Sequence, residues 1–198
     1  MKLFLLLLFV ALNAVASNYS LRASVGQATD YDFGEILTGS IGKFQKNSTV
    51  YTLDAGYLTR QSSKEIPIDL YIKSSLSYFE QPSKDAIYEM TIYLKAYYNI
   101  DFFDNRVRIG FGEGASYTSG ILQVEKEDAE AYGDNNSHFL NYIDMSLDFD
   151  FGRLVRYKPL KNTYLGFLIK HRSGIFGLIN NVKHGGSNHL CLYIEKNF

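Results

Sequence analysis

The chain contains little that would crosslink it covalently or give it a strong net charge. Its 198 residues include one cysteine, Cys191, so an internal disulfide is excluded. Cys191 lies within an alternating segment and has no histidine motif on its own face, which favours a small packing residue over a nucleophile. The formal net charge is only −1, which gives no support for nucleic-acid binding.

Long apolar runs are lacking after the N-terminus. No later segment approaches the roughly 18 consecutive apolar residues of a membrane helix, which excludes a helical membrane protein. The N-terminus combines Lys2, an apolar run over 3–12 and the cleavage pattern Ala14-Val15-Ala16, as in a secretory signal peptide. We therefore expect Sec export, removal of residues 1–16 and a single domain over 17–198. If the mature chain spans a membrane, it must do so as a closed barrel.

Aromatic residues and period-two alternation are abundant instead. The chain has 16 tyrosines and 14 phenylalanines but only three prolines, a composition that suits strands. Apolar and polar residues alternate clearly over 66–78, 87–99 and 138–151. Weaker alternating segments cover 21–28, 50–58, 106–117, 163–173 and 188–198. The pattern predicts eight strands, each about long enough for a tilted strand to cross a bilayer.

Charged residues of both signs share one face of the predicted strands. They are Asp69, Lys73, Glu89, Lys95, Arg106, Arg108, Asp144, Asp148 and Asp150. In an eight-stranded membrane barrel such groups point inward and form ion pairs, here Arg106 and Arg108 with the acidic ladder of 144–150, while the apolar face meets lipid. We therefore expect an all-β fold, an eight-stranded antiparallel transmembrane β-barrel.

The connections between these strands predict the orientation of the barrel. With both termini in the periplasm, the connections over 29–49, 80–86, 118–137 and 174–187 are extracellular, and the turns near 59–65, 100–105 and 152–162 are mostly shorter. The terminal Phe198 resembles the outer-membrane assembly signal, although Lys196 departs from its usual apolar third-from-last position. We expect the bacterial outer membrane as the location.

A histidine and a serine two residues apart stand out in "FLIKHRSGIFG", residues 167–177. His171 and Ser173 have the parity of the apolar residues before them, which places them on the outer wall near the extracellular end. Asn188 shares the parity of the apolar residues of the last strand, and antiparallel pairing can bring it beside His171. A base, a nucleophile and a group that orients the imidazole together are typical of acyl transfer.

The segment "HRSGIFGLINNVKHGGSN", followed by one final strand, resembles the PagL-type lipid A deacylases. These are eight-stranded outer-membrane barrels that remove an ester-linked acyl chain from lipid A. The resemblance is closest at the C-terminal end and elsewhere extends only to strand layout. It implies that His171 is the general base, Ser173 the nucleophile and Asn188 the residue at the position of the orienting acid. It also implies lipid A of lipopolysaccharide in the outer leaflet as the substrate, with no metal and no cofactor.

The sequence departs from the family at two positions. The acid is usually Glu, whereas Asn188 can accept a hydrogen bond but supplies no negative charge. Ser187 is an alternative group to orient His171. The residue after the serine, often Asn in the family, is Gly174, which together with Gly177 is a candidate to present backbone N–H groups to an oxyanion.

Other polar residues near the same rim are candidates for substrate binding. Arg172, Lys183, His184 and His189 are candidates to contact lipid A phosphates, and the alternative for each is an ordinary solvated or lumen charge. A metal site built from the histidines lacks supporting spacing. The acidic segment over 124–136 suits either divalent cations between lipopolysaccharide molecules or, more simply, a solvated loop.

A second class of function stays open at this point. The alternative to the esterase is a non-enzymatic small barrel, structural or adhesive, that acts through its long loops. Outward placement of His171, Ser173 and Asn188 favours the esterase, whereas side chains turned apart or into the lumen favour the second class. Monomer and homodimer are both compatible with the sequence.

Overall fold

Eight antiparallel strands close into one barrel in which each strand pairs with its sequence neighbours and β8 pairs with β1. The structure is a computed structural model that describes residues 18–42, 44, 47–82 and 85–198, so the predicted signal peptide lies outside the described residues. The strands are β1 Tyr19–Ala28, β2 Thr49–Arg60, β3 Ile68–Glu80, β4 Ile87–Phe102, β5 Asn105–Thr118, β6 Phe139–Asp150, β7 Thr163–Ser173 and β8 Ser187–Asn197. The prediction of an eight-stranded antiparallel barrel is confirmed.

Within the described connections there are three short α-helices and a 3-10 turn at Lys158–Leu160. They are α1 Phe33–Leu37, α2 Gln123–Tyr132 and α3 Phe151–Leu154. In the parts of the chain that are described, no helix has the length and apolar character needed to span a bilayer.

Burial alternates over most of the barrel wall, as the sequence pattern predicts, with exceptions that include 140–142 in β6 and 163–166 in β7. In β3 the odd-numbered residues from Asp69 to Phe79 are buried, while the intervening ones are exposed. Large apolar side chains cover the exterior, and Leu53, Leu94 and Phe167 are each 68% exposed. An apolar exterior with a polar interior is the arrangement that a lipid-facing barrel requires.

Ion pairs fill the interior. Arg108 donates to both carboxylate oxygens of Asp148 at 2.8 Å, and Arg22 bridges Asp54 and Asp144. Side chains therefore occupy the lumen, as expected for eight strands. Cys191 is also buried there, beside apolar neighbours.

One predicted ion pair is wrong. Arg106 binds Asp101 at 2.7 Å and not the acidic ladder of β6. The two residues are directly opposed near the end of the β4–β5 hairpin, where Asp101 is more than half exposed. Local hairpin geometry therefore outweighs attraction to the more distant carboxylates.

The two ends of the barrel differ in their connections. One end, here the loop end, carries L1 (29–48), L2 (81–86), L3 (119–138) and L4 (174–186). The other, the turn end, carries the connections 61–67, 103–104 and 151–162. In the two-residue turn, Phe103 and Asp104 have φ of 47° and 59°, as a type I′ hairpin requires. Helix α1 lies in L1 and α2 in L3, so the loop end is the more elaborate one.

Candidate active site

His171 and Asn188 face each other on the outer wall at the loop end. They are directly paired in the β7–β8 register, and both side chains are half-buried. The His171 Nδ1 and the Asn188 Oδ1 lie 2.7 Å apart. Because an amide oxygen only accepts hydrogen bonds, this contact assigns the proton to Nδ1 and leaves Nε2 as the basic nitrogen.

Loop L1 fixes the orientation of the Asn188 amide. The Asn188 Nδ2 donates to the carbonyl oxygen of Tyr31 at 3.1 Å, and the Thr29 N–H donates to the Asn188 carbonyl at 3.0 Å. With its nitrogen bound to L1, the amide presents its oxygen to the imidazole. L1 and β8 therefore hold the polar group that orients His171.

The same loop covers one face of the imidazole. Phe33, the first residue of α1, stacks on His171 with ring centroids 4.3 Å apart and planes inclined by 19°. The residues that start α1 are tied together, since the Asp32 N–H donates a hydrogen bond to the Glu35 carboxylate at 2.9 Å. The imidazole is thus held by an amide at its edge and by a ring on its face.

Ser173 lies two residues beyond His171 and on the same side of β7. Its partner across the β6–β7 pair is Asn141. Among the residues that the structure describes, no hydrogen bond joins Ser173 to His171. Bonds between nucleophile and base are often long in a free enzyme and tighten when substrate binds.

Loop L4 turns sharply away from the wall after Ser173. A Cβ at Gly174 would lie 2.1 Å from the Val182 carbonyl oxygen, so only glycine fits there. Gly177 has φ of +92°, in the left-handed region that favours glycine. Both residues serve the path of the loop, and their role in an oxyanion hole stays a prediction.

Two of the predicted phosphate-binding residues lie inside the barrel. Arg172 and His189 are each 1% exposed. Arg172 alternates with His171 and Ser173, and His189 alternates with Asn188, so strand geometry turns both toward the lumen. A phosphate on the outer wall cannot reach them, which corrects that expectation.

The remaining predicted residues at this rim divide between surface and interior. Lys183 is exposed on L4, where its backbone N–H donates to Asp134 at 2.6 Å. Ser187 is buried and donates to the Glu125 carboxylate at 2.8 Å. Ser187 therefore points away from His171, and Asn188 is the group that orients the imidazole.

The folds of two solved structures are similar to this one. The outer-membrane enzyme PagL matches with a TM-score of 0.60 at 14% sequence identity, over 90% of this chain and 99% of PagL. Neisserial surface protein A matches with a TM-score of 0.52 at 15% identity, over 92% of this chain and 98% of its own. The fold is that of the small outer-membrane barrels. No protein-family model and no curated protein sequence matches the chain.

Helix α2 of L3 lies at the loop end of the barrel. Its Glu125 is 1% exposed and accepts hydrogen bonds from Arg172 and Ser187, each at 2.8 Å. Burial raises the pKa of the Glu125 carboxyl to about 7, although Arg172 and the Ser187 hydroxyl act in the opposite direction. Glu89 and Asp128 also face this carboxyl and raise its pKa further.

The attachment of α2 is expected to weaken with rising pH. When α2 is detached and Glu125 is in water, the pKa of its carboxyl is near the ordinary value of 4.5. The state with α2 attached, or docked, therefore binds more protons than the detached state between pH 4.5 and about 7. Docking is therefore strongest below pH 4.5 and weakens as the pH rises through 7. The measurement is limited proteolysis of L3, with the cleavage rate of the native protein divided by that of Glu125→Gln at each pH. This ratio should rise with pH, and a flat ratio would contradict the prediction.

Sequence reasoning missed three parts of this site. Tyr31 and Phe33 lie in a loop whose path no alternation pattern predicts. Asn141 can be identified from the sequence, because it shares the parity of Phe139 and Ile143 on the otherwise apolar face of β6. A polar residue on the apolar, lipid-facing side of a predicted strand is the sequence feature that marks it.

Proposed function

We propose that the protein is an outer-membrane esterase that hydrolyses an ester-linked acyl chain of lipid A. The observation that carries this proposal is the His171–Asn188 hydrogen bond on the outer wall, beside Ser173. A polar cluster on a lipid-facing wall is unfavourable unless it serves a purpose. The resemblance of the His171–Asn188 segment to the PagL-type deacylases and the similarity of the fold to PagL support the same function.

In the proposed reaction, Ser173 attacks the ester carbonyl while His171 Nε2 takes the hydroxyl proton. Asn188 accepts the Nδ1–H bond throughout and holds the ring in place. Collapse of the tetrahedral intermediate breaks the ester C–O bond, and the departing alkoxide receives the proton from Nε2. Water then attacks the acyl-enzyme with His171 again as the base, which releases the fatty acid and restores Ser173.

The surroundings of the site suit a substrate that enters from the bilayer. Phe176 and Leu178 on L4 are 92% and 82% exposed next to the strand end that carries Ser173. Exposed apolar groups of this size favour contact with acyl chains over contact with water. In an outer-membrane setting, the loop end lies at the level of the lipopolysaccharide head groups and the ester bonds below them.

The function is tested by mass spectrometry of lipid A. Lipopolysaccharide is incubated with the purified, refolded protein, and lipid A from expressing cells is analysed in parallel. We expect the loss of one hydroxyacyl mass, which also identifies the chain removed. Unchanged lipid A in both assays would contradict the esterase function for this substrate.

Asn188 provides a graded test of the same site. Asn188→Leu removes the acceptor of the imidazole N–H and should reduce kcat by about 10²–10⁴-fold, because base catalysis depends on the correct tautomer. Asn188→Asp keeps an acceptor for His171 and loses only the donor to Tyr31, so it should retain more activity than the leucine variant. Steady-state ester hydrolysis measures both. Equal activities of the two variants would show that the amide does not orient His171.

A second candidate is a non-enzymatic barrel that acts through its loops. Two observations favour it: the lack of a Ser173–His171 hydrogen bond among the described residues, and the tight joining of L3 to L4. Asp134 of L3 accepts hydrogen bonds from the backbone N–H groups of Lys183 and His184 in L4. Two results together would support this candidate. Lipid A would be unchanged, and cells that express the protein would adhere but lose this adhesion when L3 is shortened.

A further inference from the structure

Asn141 is a polar residue with no evident structural purpose. It lies on the outer face of β6 between Phe139 and Ile143, and it is 7% exposed. Within the described part of the chain, its side-chain amide makes no hydrogen bond. A polar side chain on an otherwise apolar outer stripe is unfavourable unless it serves a purpose.

The explanation is its position relative to Ser173. Asn141 and Ser173 are directly opposed in the β6–β7 register, so their Cβ atoms are about 4.5–5.5 Å apart on the same face. On its other side Asn141 pairs with Ala115, whose small side chain leaves the amide room to move. Ser173 thus has His171 next to it along its own strand and a donor-bearing amide across from it.

This arrangement matches what the reaction needs at the carbonyl oxygen. When the Ser173 Oγ–carbon bond forms, the carbonyl π electrons move to oxygen, and the negative charge requires a hydrogen-bond donor already in place. His171 is occupied with the serine proton. Gly174 has no side chain with which to donate, and no acceptor for the Asn141 Nδ2–H groups lies among the residues that the structure describes.

We propose that Asn141 is a catalytic residue that donates a side-chain hydrogen bond to the oxyanion formed on attack by Ser173. The proposal rests on the esterase function. The amide transfers no proton: it stabilises the tetrahedral oxygen and releases it when the electrons return and the ester C–O bond breaks. A donor that is unpaired in the free enzyme makes its bond only in the reaction, which is the condition for accelerating it.

The test compares the refolded native chain with Asn141→Leu, which keeps the side-chain size and removes the donor. Two readouts are followed: kcat and KM for a soluble ester, and the rate at which an alkyl fluorophosphonate labels Ser173, measured by intact mass. We expect kcat to fall by about 10²–10³-fold with KM nearly unchanged. Labelling should slow to a similar extent, because the phosphoryl oxygen occupies the oxyanion position. Ser74→Leu, a polar-to-apolar change on the outer wall of β3, should alter neither.

Urea unfolding separates a catalytic role from a structural one. Removing an unpaired amide from the wall should leave the unfolding midpoint of Asn141→Leu equal to or above that of the native chain. A lower midpoint together with lost activity would assign Asn141 to the fold and overturn the proposal. Unchanged kcat and labelling in Asn141→Leu would overturn it and leave the esterase function standing. A native chain that neither hydrolyses the ester nor reacts at Ser173 would overturn both.

Discussion

Ser173→Ala is expected to lower kcat for acyl release by about 10⁴-fold or more, because the covalent route depends on this one oxygen. His171→Ala should have an effect of the same size, since an unassisted serine hydroxyl is a weak nucleophile at neutral pH. The double variant should be no slower than either single variant, because the two residues act as one unit. The measurement is release of fatty acid from purified lipopolysaccharide.

Ser74→Ala is the matched control for this prediction. Ser74 is an exposed serine on the outer wall of β3, so its loss removes a hydroxyl from the wall without touching the site. All variants should give the same circular dichroism spectrum and the same resistance to protease. Independent, additive losses in the Ser173 and His171 variants would contradict a shared nucleophile–base mechanism.

The second large effect concerns stability and the lumen. Arg22 lies between Asp54 and Asp144 with its side chain fully buried, and its guanidinium also donates to Tyr93. Arg22→Met leaves Asp54 without a cationic partner among the described residues, whereas Asp144 keeps Lys95. Breaking a buried pair by removing one partner is expected to reduce the free energy of unfolding by about 3–5 kcal/mol. Urea unfolding of the protein in lipid vesicles measures it.

Arg106→Met provides the comparison, because its pair with Asp101 is partly exposed at the turn end. Exposed pairs contribute about 0–1 kcal/mol, so this variant should unfold close to the native midpoint. Adding Asp54→Asn to Arg22→Met should recover part of the loss by removing the uncompensated carboxylate. Equal destabilisation by the two arginine variants would show that burial of the lumen pair does not determine its contribution.

The fold was largely predictable from the sequence because alternation carries the necessary information. Period two identifies each strand and both of its faces, and sequential antiparallel pairing is the usual order of strands in an eight-stranded membrane barrel. The same parity places His171, Ser173 and Asn188 on the outer wall, and the β7–β8 register brings the first and last of these together.

The rest of the site depends on contacts that parity does not describe. Proximity to the motif in sequence predicts Arg172 and His189 at the rim, although alternation directs both side chains inward. The L1 contacts of Tyr31 and Phe33 depend on the path of a loop, which local sequence does not determine. The partner of Arg106 depends on which carboxylate lies opposite it in a hairpin, which a list of charged residues cannot give.

The hydrogen bonds that L1 makes to Asn188 also determine the stage of folding at which the His171–Asn188 site forms. Thr29 and Tyr31 follow the first strand, whereas Asn188 belongs to the last, so these bonds cross the seam where the chain meets itself. A partly assembled sheet, open between β1 and β8, lacks the contact that sets the amide. Closure of the barrel between β1 and β8 and formation of the His171–Asn188 site are therefore one event, and a folding intermediate contains the residues of the site without their geometry.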